Sequence, residues 1–321
     1  MLKLRHFRFL NPEWFRKPQS ELELTLRTPL VIKEMFTLAF LRIIPVVLVF
    51  ALLVKLLLGI PVLSFIVGLL LFLLYELYAL EHWYRKKLLP KQKESIELVN
   101  NMRVQDDNKE LISNIEKATV LSAKGMVKIG YVGLASWGWE ILFKETFPLI
   151  AKNNNYHYTD LLIGISNIVL EADQALWEVA NEDDPNKKQV MYQEFLNKYG
   201  SQVDDMDLSF KTLREKAKAL DRLLELNKGV PSPNSEHDKM IKRYKEAKDT
   251  FVSKVRIPRP IFDKLLDKVR SNVALREDRR FYEFSMDYKL RIMLIELGNR
   301  LGISEEELFS KSWKEIKDAA N

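Results

Sequence analysis

Between Phe36 and Leu80 the chain carries only three charged side chains, Arg42, Lys55 and Glu76, in an otherwise almost unbroken apolar run. No surface helix is that apolar, and a core helix rarely runs so long. The first part, about Phe36 to Leu58, predicts a helix of roughly 34 Å at about 1.5 Å per residue, enough to cross a hydrocarbon core of about 30 Å. Gly59 and Pro61 mark a tight turn, and the second part, Val62 to Leu80 (VLSFIVGLLLFLLYELYAL), predicts a second span. Arg42 and Lys55 lie near opposite ends of the first span, where each side chain snorkels toward the nearer interface. Tyr75, Tyr78, Trp83 and Tyr84 cluster at the exit of the second, as an aromatic belt does. Pro45 either kinks the first span or marks the start of a shorter helix preceded by an interfacial one. The apolar run starts late and is followed by another, which makes a cleaved signal peptide a poor alternative.

Beyond Pro90 the apolar residues recur at three- and four-residue spacing. The pattern predicts helices near 92–120, 125–151, 159–181, 186–199, 211–227, 235–255, 259–272 and 275–301. In the last of these, Phe281, Phe284, Tyr288, Ile292, Ile295 and Leu301 form a stripe that Leu290, Met293, Leu294 and Leu297 widen, which predicts a central, buried helix. Lys152–Asn155, Glu182–Pro185 and Gly229–Asn234 read as loops. The expected fold class is therefore all-α. Residues 1–33 form a basic N-terminal segment, residues 34–84 a two-helix transmembrane hairpin, and residues 85–321 an α-helical cytoplasmic domain.

Composition sharpens this picture in two places. The net charge of +6 suggests nucleic acid until it is located. Residues 1–33 carry seven basic and three acidic side chains, and Arg85, Lys86, Lys87, Lys91 and Lys93 follow the hairpin without an intervening acid. From Glu94 onward 36 basic residues face 38 acidic ones. The basic excess hugs the apolar block on both sides, a membrane signature rather than a nucleic-acid one. With both outer ends basic, the positive-inside bias places both termini in the cytoplasm, on the inner face of the cell membrane. The absence of cysteine excludes disulfides and thiolate metal sites, and the four histidines are too dispersed for a histidine-based one.

No Walker loop, G-x-G-x-x-G, G-x-S-x-G or H-E-x-x-H occurs. Paired acids such as Asp183–Asp184, Asp204–Asp205 and Glu305–Glu307 read as solvated faces. Trp137 and Trp139 line an apolar pocket or belong to the core. Arg276, Glu277, Arg279 and Arg280 open the last long helix either as a phosphate site or as ordinary ion pairs on its surface. No catalytic residue and no metal site is named.

Several segments, taken in order, resemble the helical region of the phosphoenolpyruvate-utilising family, which includes phosphoenolpyruvate synthase-like enzymes and rifampin phosphotransferase. They are Trp14–Pro18 (WFRKP) with Thr28–Pro29–Leu30, Glu171–Ala180 (EADQALWEVA), Phe195–Leu208 (FLNKYGSQVDDMDL), and Arg276–Leu301 with Glu306–Ile316. The resemblance implies a substrate-binding or docking surface drawn from Trp137, Trp139, Trp177, Tyr199, Arg276 and Arg280. It also implies a protein partner with ATP-grasp and phosphohistidine domains. ATP and magnesium would sit on that partner, and no cofactor on this chain alone. Where the family has Gly-His-Arg, this chain has Gly200–Ser201–Gln202, and it contains no phosphohistidine segment. The expectation is thus a membrane-anchored, non-catalytic subunit of a split phosphotransfer system, touching the bilayer and a protein partner but no nucleic acid. The alternative is a degenerate helical domain acting as a membrane scaffold.

Overall fold

A computed structural model describes residues 19–58, 67, 71–72, 75–76, 78–104, 107–151, 157–203, 207–252 and 255–320. Among these the chain is all-helical. A single isolated bridge, Ala151 to Val255, stands in place of any strand. The chain divides into two compact units. The first comprises residues 1–131, 203–212 and 282–321, and the second residues 132–202 and 213–281.

In the first unit, Ser20 caps α1 (Glu21–Leu26) by accepting from the Glu23 N–H. Arg27 closes that helix, and α2 (Thr28–Leu38) starts at once, with Pro29 in its first turn where no N–H is needed. A π turn (Ala39–Ile43) then leads into α3 (Ile44–Leu58). Pro45 thus neither ends the span nor separates an interfacial helix from it: the wide turn just upstream accommodates the missing backbone donor. Residues Thr28–Lys55 form one helix, near the N-terminus, long and apolar enough to cross a membrane. Met35, Phe36, Phe40, Leu41, Leu48, Val49, Leu52 and Leu53 all stand exposed on it. An apolar surface that large is not left to water.

Of the predicted second span, the turn at Gly59–Pro61 and most of 62–80 lie outside the described residues. Residues 67, 71, 72, 75, 76 and 78–83 are helical. Arg42 pairs with Glu76 at 3.2 Å and lies 3.9 Å over the Trp83 ring, while Phe50 meets Tyr75 at 6.2 Å between centroids. A π turn (Tyr84–Leu88) buries Tyr84 and Leu88 while exposing Arg85, Lys86 and Lys87, then passes into α4 (Leu89–Asn100).

Several predicted boundaries are corrected, among them the helices expected at 159–181 and 211–227, which begin only at Ile168 and Ala217 after separate 3-10 turns. The helices expected at 92–120 and 125–151 are broken elsewhere: the first ends at Asn100, and from Asn108 the chain runs as one helix, α5 (Asn108–Ile150), started by Asp107, whose carboxylate accepts from the Glu110 N–H. Likewise the helix expected at 275–301 is interrupted at 284–286. It becomes α10 (Arg259–Glu283) and α11 (Asp287–Arg300), after α6 (Ile168–Asn181), α7 (Pro185–Tyr199), α8 (Ala217–Leu226) and α9 (Pro233–Val252). The short helices α12 (Glu305–Ser310) and α13 (Trp313–Ala320) end the chain's described part. Leu290, Met293, Leu294 and Leu297 of α11 are wholly buried against Leu22, Leu111, Ile115, Leu308 and Ile316.

A chain of buried polar groups runs through this core. Arg27, wholly buried, pairs with Glu23 at 2.6 Å and with Asp287 at 2.8 Å, and Ser122 donates to the same Asp287 oxygen at 3.2 Å. Arg291 donates to the Leu208 carbonyl at 2.6 Å and pairs with Glu305, and Asp207 accepts from the Ser20 hydroxyl at 2.9 Å. These last contacts hold residues 207–208 in the first unit. Burial raises both the Glu23 and Asp287 carboxyls above the usual carboxylate range, against the opposing pull of Arg27. Arg27 itself stays charged, because its two carboxylate neighbours outweigh its own burial.

Removing one partner of a buried pair strands the other charge. Arg27→Ala is therefore expected to cost about 3–5 kcal/mol in denaturant unfolding of the detergent-solubilised protein. Because each carboxyl holds its proton more tightly folded than unfolded, protonation adds stability as pH falls toward the ordinary carboxylate range near 4, and that gain is lost as pH rises through the folded pKa. On lowering the pH from neutrality toward about 4 the native thermal midpoint should rise relative to that of Asp287→Asn. Equal shifts in both proteins would mean that Asp287 is not the group that titrates.

Candidate ligand groove

In the second unit, the consecutive helices α6 and α7 meet α10 and the start of α9 around an open groove of about 550 Å³. From α6 it takes Leu170, Glu171, Gln174, Ala175 and Glu178, from α7 Lys198 and Tyr199, and from α10 Asp278. Of the segments quoted above, only parts of 171–180, 195–208 and 276–301 fall in this lining, the last through Asp278 alone. Ser166 and Asn167 close one end, and Asn234 and His237 of α9 another.

Local chemistry explains how each wall is placed. Asn167 caps α6, its side-chain carbonyl accepting from the Val169 and Leu170 N–H groups at 3.1 Å each. Asp184 caps α7 in the same way, with Pro185 in the first turn. Tyr199 is buried at the groove floor, its ring 5.4 Å from Phe195 and 6.0 Å from Phe281. The loop before α6 is held by one side chain. Arg270 lies 3.7 Å over the Tyr244 ring and donates to the carbonyls of Leu161, Ile163 and Gly164 at 2.7–2.9 Å. Gly164 has a φ of 61°, and a Cβ there would sit 2.9 Å from the Ile241 nitrogen, so no other residue fits this turn without strain.

The lining is acidic: Glu171, Glu178 and Asp278 face the single ammonium of Lys198. Lys198 and Glu171 approach to 3.4 Å, but both are more than half exposed, so the pair contributes little. Such a groove suits a cationic or polyhydroxyl group and repels a phosphate. Ser166 lies 3.0 Å from His237 Nε2, the spacing of a nucleophile and its base. However, the nearby donors that would receive an oxyanion are already used: Ile168 N–H by Asp278 at 2.8 Å, and the next two by Asn167. The geometry is that of a binding surface rather than an acyl-transfer site. The sequence reading missed Ser166, His237 and Asp278, which no motif marks.

The predicted site residues divide accordingly. Tyr199 lines the groove. Trp177, although on α6, turns away from it, its indole N–H donating to the Val230 carbonyl at 2.9 Å. Trp139 packs against the aromatic core of Phe143, Phe147, Phe251 and Phe262, and Trp137 is half-buried. Arg276 is engaged by Glu140 at 2.7 Å and Glu277 at 3.0 Å, the ion-pair alternative rather than the phosphate one. Arg280 is half-buried on the same helix and does not line the groove. Among the described residues no cluster of His, Asp or Glu is arranged to hold a metal ion. No protein-family model matches this chain, and no curated protein is significantly similar to it.

Arg270→Ala removes three charge-assisted hydrogen bonds, each worth about 1.5–3 kcal/mol. Amide exchange over residues 161–170 is expected to speed by at least about 100-fold, since even two of these bonds at the lower figure amount to about 3 kcal/mol at a tenfold change per 1.4 kcal/mol. Unchanged exchange would show that the loop is held by other contacts.

Proposed function

We propose that this chain is a membrane-anchored, non-catalytic binding subunit whose groove docks a cationic segment of a protein partner. The observation that carries the reading is that Asp278, from the 276–301 segment, joins Glu171, Glu178, Lys198 and Tyr199 of the consecutive helices α6 and α7 in one lined groove. Following the family resemblance, the partner is a polypeptide with ATP-grasp and phosphohistidine domains. ATP and magnesium are held there and not by this chain, and the phosphotransfer chemistry is brought to the bilayer.

The anchor is a two-span hairpin. Arg42 opposite Glu76 and Trp83, together with Phe50 opposite Tyr75, supports an antiparallel second span packed on the first. Lys33 and Arg85–Lys87 stand exposed at the same end, beyond Tyr75 and Tyr78, which are exposed as interfacial aromatics are. The positive-inside bias then puts both termini in the cytoplasm, with Lys55 near the far face. The competing reading, a scaffold without phosphotransfer, draws on the ion pairs that occupy Arg276 and on Gly200–Ser201–Gln202 in place of Gly-His-Arg.

Affinity purification from native membranes in mild detergent, with mass spectrometry, tests this. A partner with ATP-grasp and phosphohistidine domains is expected at equal stoichiometry. The charge reversal Glu171→Lys with Glu178→Lys is expected to weaken its recovery by about tenfold or more, since like charges brought together cost at least 1.4 kcal/mol, while leaving the chain in the membrane fraction. Recovery of the intact chain without such a partner would favour the scaffold.

A further inference from the structure

Within the first unit, α4 and the early part of α5 meet closely at a single point. Gln92 of α4 is buried and donates its amide to the Tyr282 carbonyl at 2.9 Å. It lies so near Gly125 of α5 that a Cβ there would stand 2.6 Å from the amide nitrogen. Tyr84, Leu88 and Gln92, four residues apart, form the buried edge of this stretch, which leaves its basic residues on the outside. Lys91 and Lys93 flank Gln92 and are exposed, while Lys124, exposed, and Lys128, half-buried, flank Gly125. Four lysines therefore surround one point of contact between two helices.

A fifth comes from the apolar helix. Arg42 over Trp83 and Phe50 beside Tyr75 set an antiparallel register between that helix and the segment after it. Lys33, nine residues before Arg42, then falls level with Gln92, nine after Trp83, and it is exposed. Just beyond it Met35 and Phe36, 57 and 62% exposed, open the bare apolar face. Among the described residues Lys33, Lys91, Lys124 and Lys128 make no ion pair, and Lys93 lies 5.4 Å over the Tyr282 ring. Glu81 is engaged by Arg85 at 3.2 Å, which leaves Glu34 and Glu94 as the carboxylates nearest these lysines in sequence. Five cations against two carboxylates, at the rim of an apolar face, match a molecule with a negative head and an apolar tail. Lysine suits such a head, because a compact charge on a flexible stem follows a phosphate without demanding one orientation.

We infer that this cluster seats the phosphate of an anionic glycerophospholipid, with its acyl chains laid along the exposed face of Thr28–Lys55. The assignment rests on the membrane reading above. It adds that the chain selects one class of lipid at the crossing of α4 on α5.

The full-length protein in a neutral detergent, titrated with phosphatidylglycerol or phosphatidylcholine and read by native mass spectrometry, tests this. Phosphatidylglycerol is expected to be retained at about tenfold lower concentration than phosphatidylcholine. Lys91→Gln with Lys124→Gln and Lys128→Gln should abolish that preference. Lys109→Gln with Lys117→Gln and Lys314→Gln, an equal loss of charge at exposed sites elsewhere, should keep it. An unchanged thermal midpoint in lipid-free detergent checks that both variants fold. No preference in the native protein, or an equal loss in both variants, would overturn the inference. So would displacement of the lipid by an equimolar amount of inorganic phosphate, which marks a site for the free anion. Failure to recover the native chain in carbonate-washed membranes would bring down the membrane reading as well.

Discussion

The first unit is organised around the burial of Arg27. A guanidinium with no access to water has to be satisfied by the protein, and its two carboxylates come from opposite ends of the chain: Glu23 one turn earlier and Asp287 at the start of α11. Ser122 of α5 completes the set. Buried ion pairs are weak contributors to net stability, since desolvation offsets attraction, but they are strict about geometry. Here that strictness falls on the residue immediately before the long apolar helix Thr28–Lys55. The position at which that helix leaves the folded core is fixed by Glu23, Ser122 and Asp287 around Arg27.

The same principle recurs lower down with different groups. Arg42 and Glu76 are the only opposed charges in the apolar run, and they face each other. With Glu76 buried, the alternative to this pairing is an isolated buried charge, so the pair favours one rotation of each helix against the other. Tyr131 extends that selection to α5. The π turn before Pro45 changes the rotational phase of the helix just at this point.

The groove of the second unit follows another logic. Its walls are set by helix caps, Asn167 and Asp184, and by the Arg270 clamp on the 161–164 loop, all of which use polar groups to satisfy backbone rather than ligand. The lining carboxylates are themselves engaged, Asp278 by the Ile168 N–H, Glu178 by the Gln174 amide and Glu171 by Lys198, but their charges outnumber the single ammonium. Recognition by such a surface is electrostatic and tolerant of shape, which suits docking more than the discrimination of a small molecule.

The all-helical class, the apolar run and its basic edges were legible in the sequence, because hydrophobic periodicity and the cost of exposing apolar or charged groups are local properties. So were the loop at 182–184 and the burial of Leu290, Met293, Leu294 and Leu297. Boundaries were less so. The end of α4 at Asn100 and the break at 284–286 fall where apolar spacing continues, and Asp107 capping α5 and Asp287 reaching Arg27 decided them. The site was legible only as separate segments. Whether Tyr199 faces a groove while Trp177, on the neighbouring helix, turns to Val230 depends on how α6 and α7 pack. Asp278, Ser166 and His237 meet across more than a hundred residues of chain. Sequence determines which faces must be buried; only the tertiary structure decides what each buried or half-buried polar group finds there, because its partner is distant in the chain and carries no periodic signature.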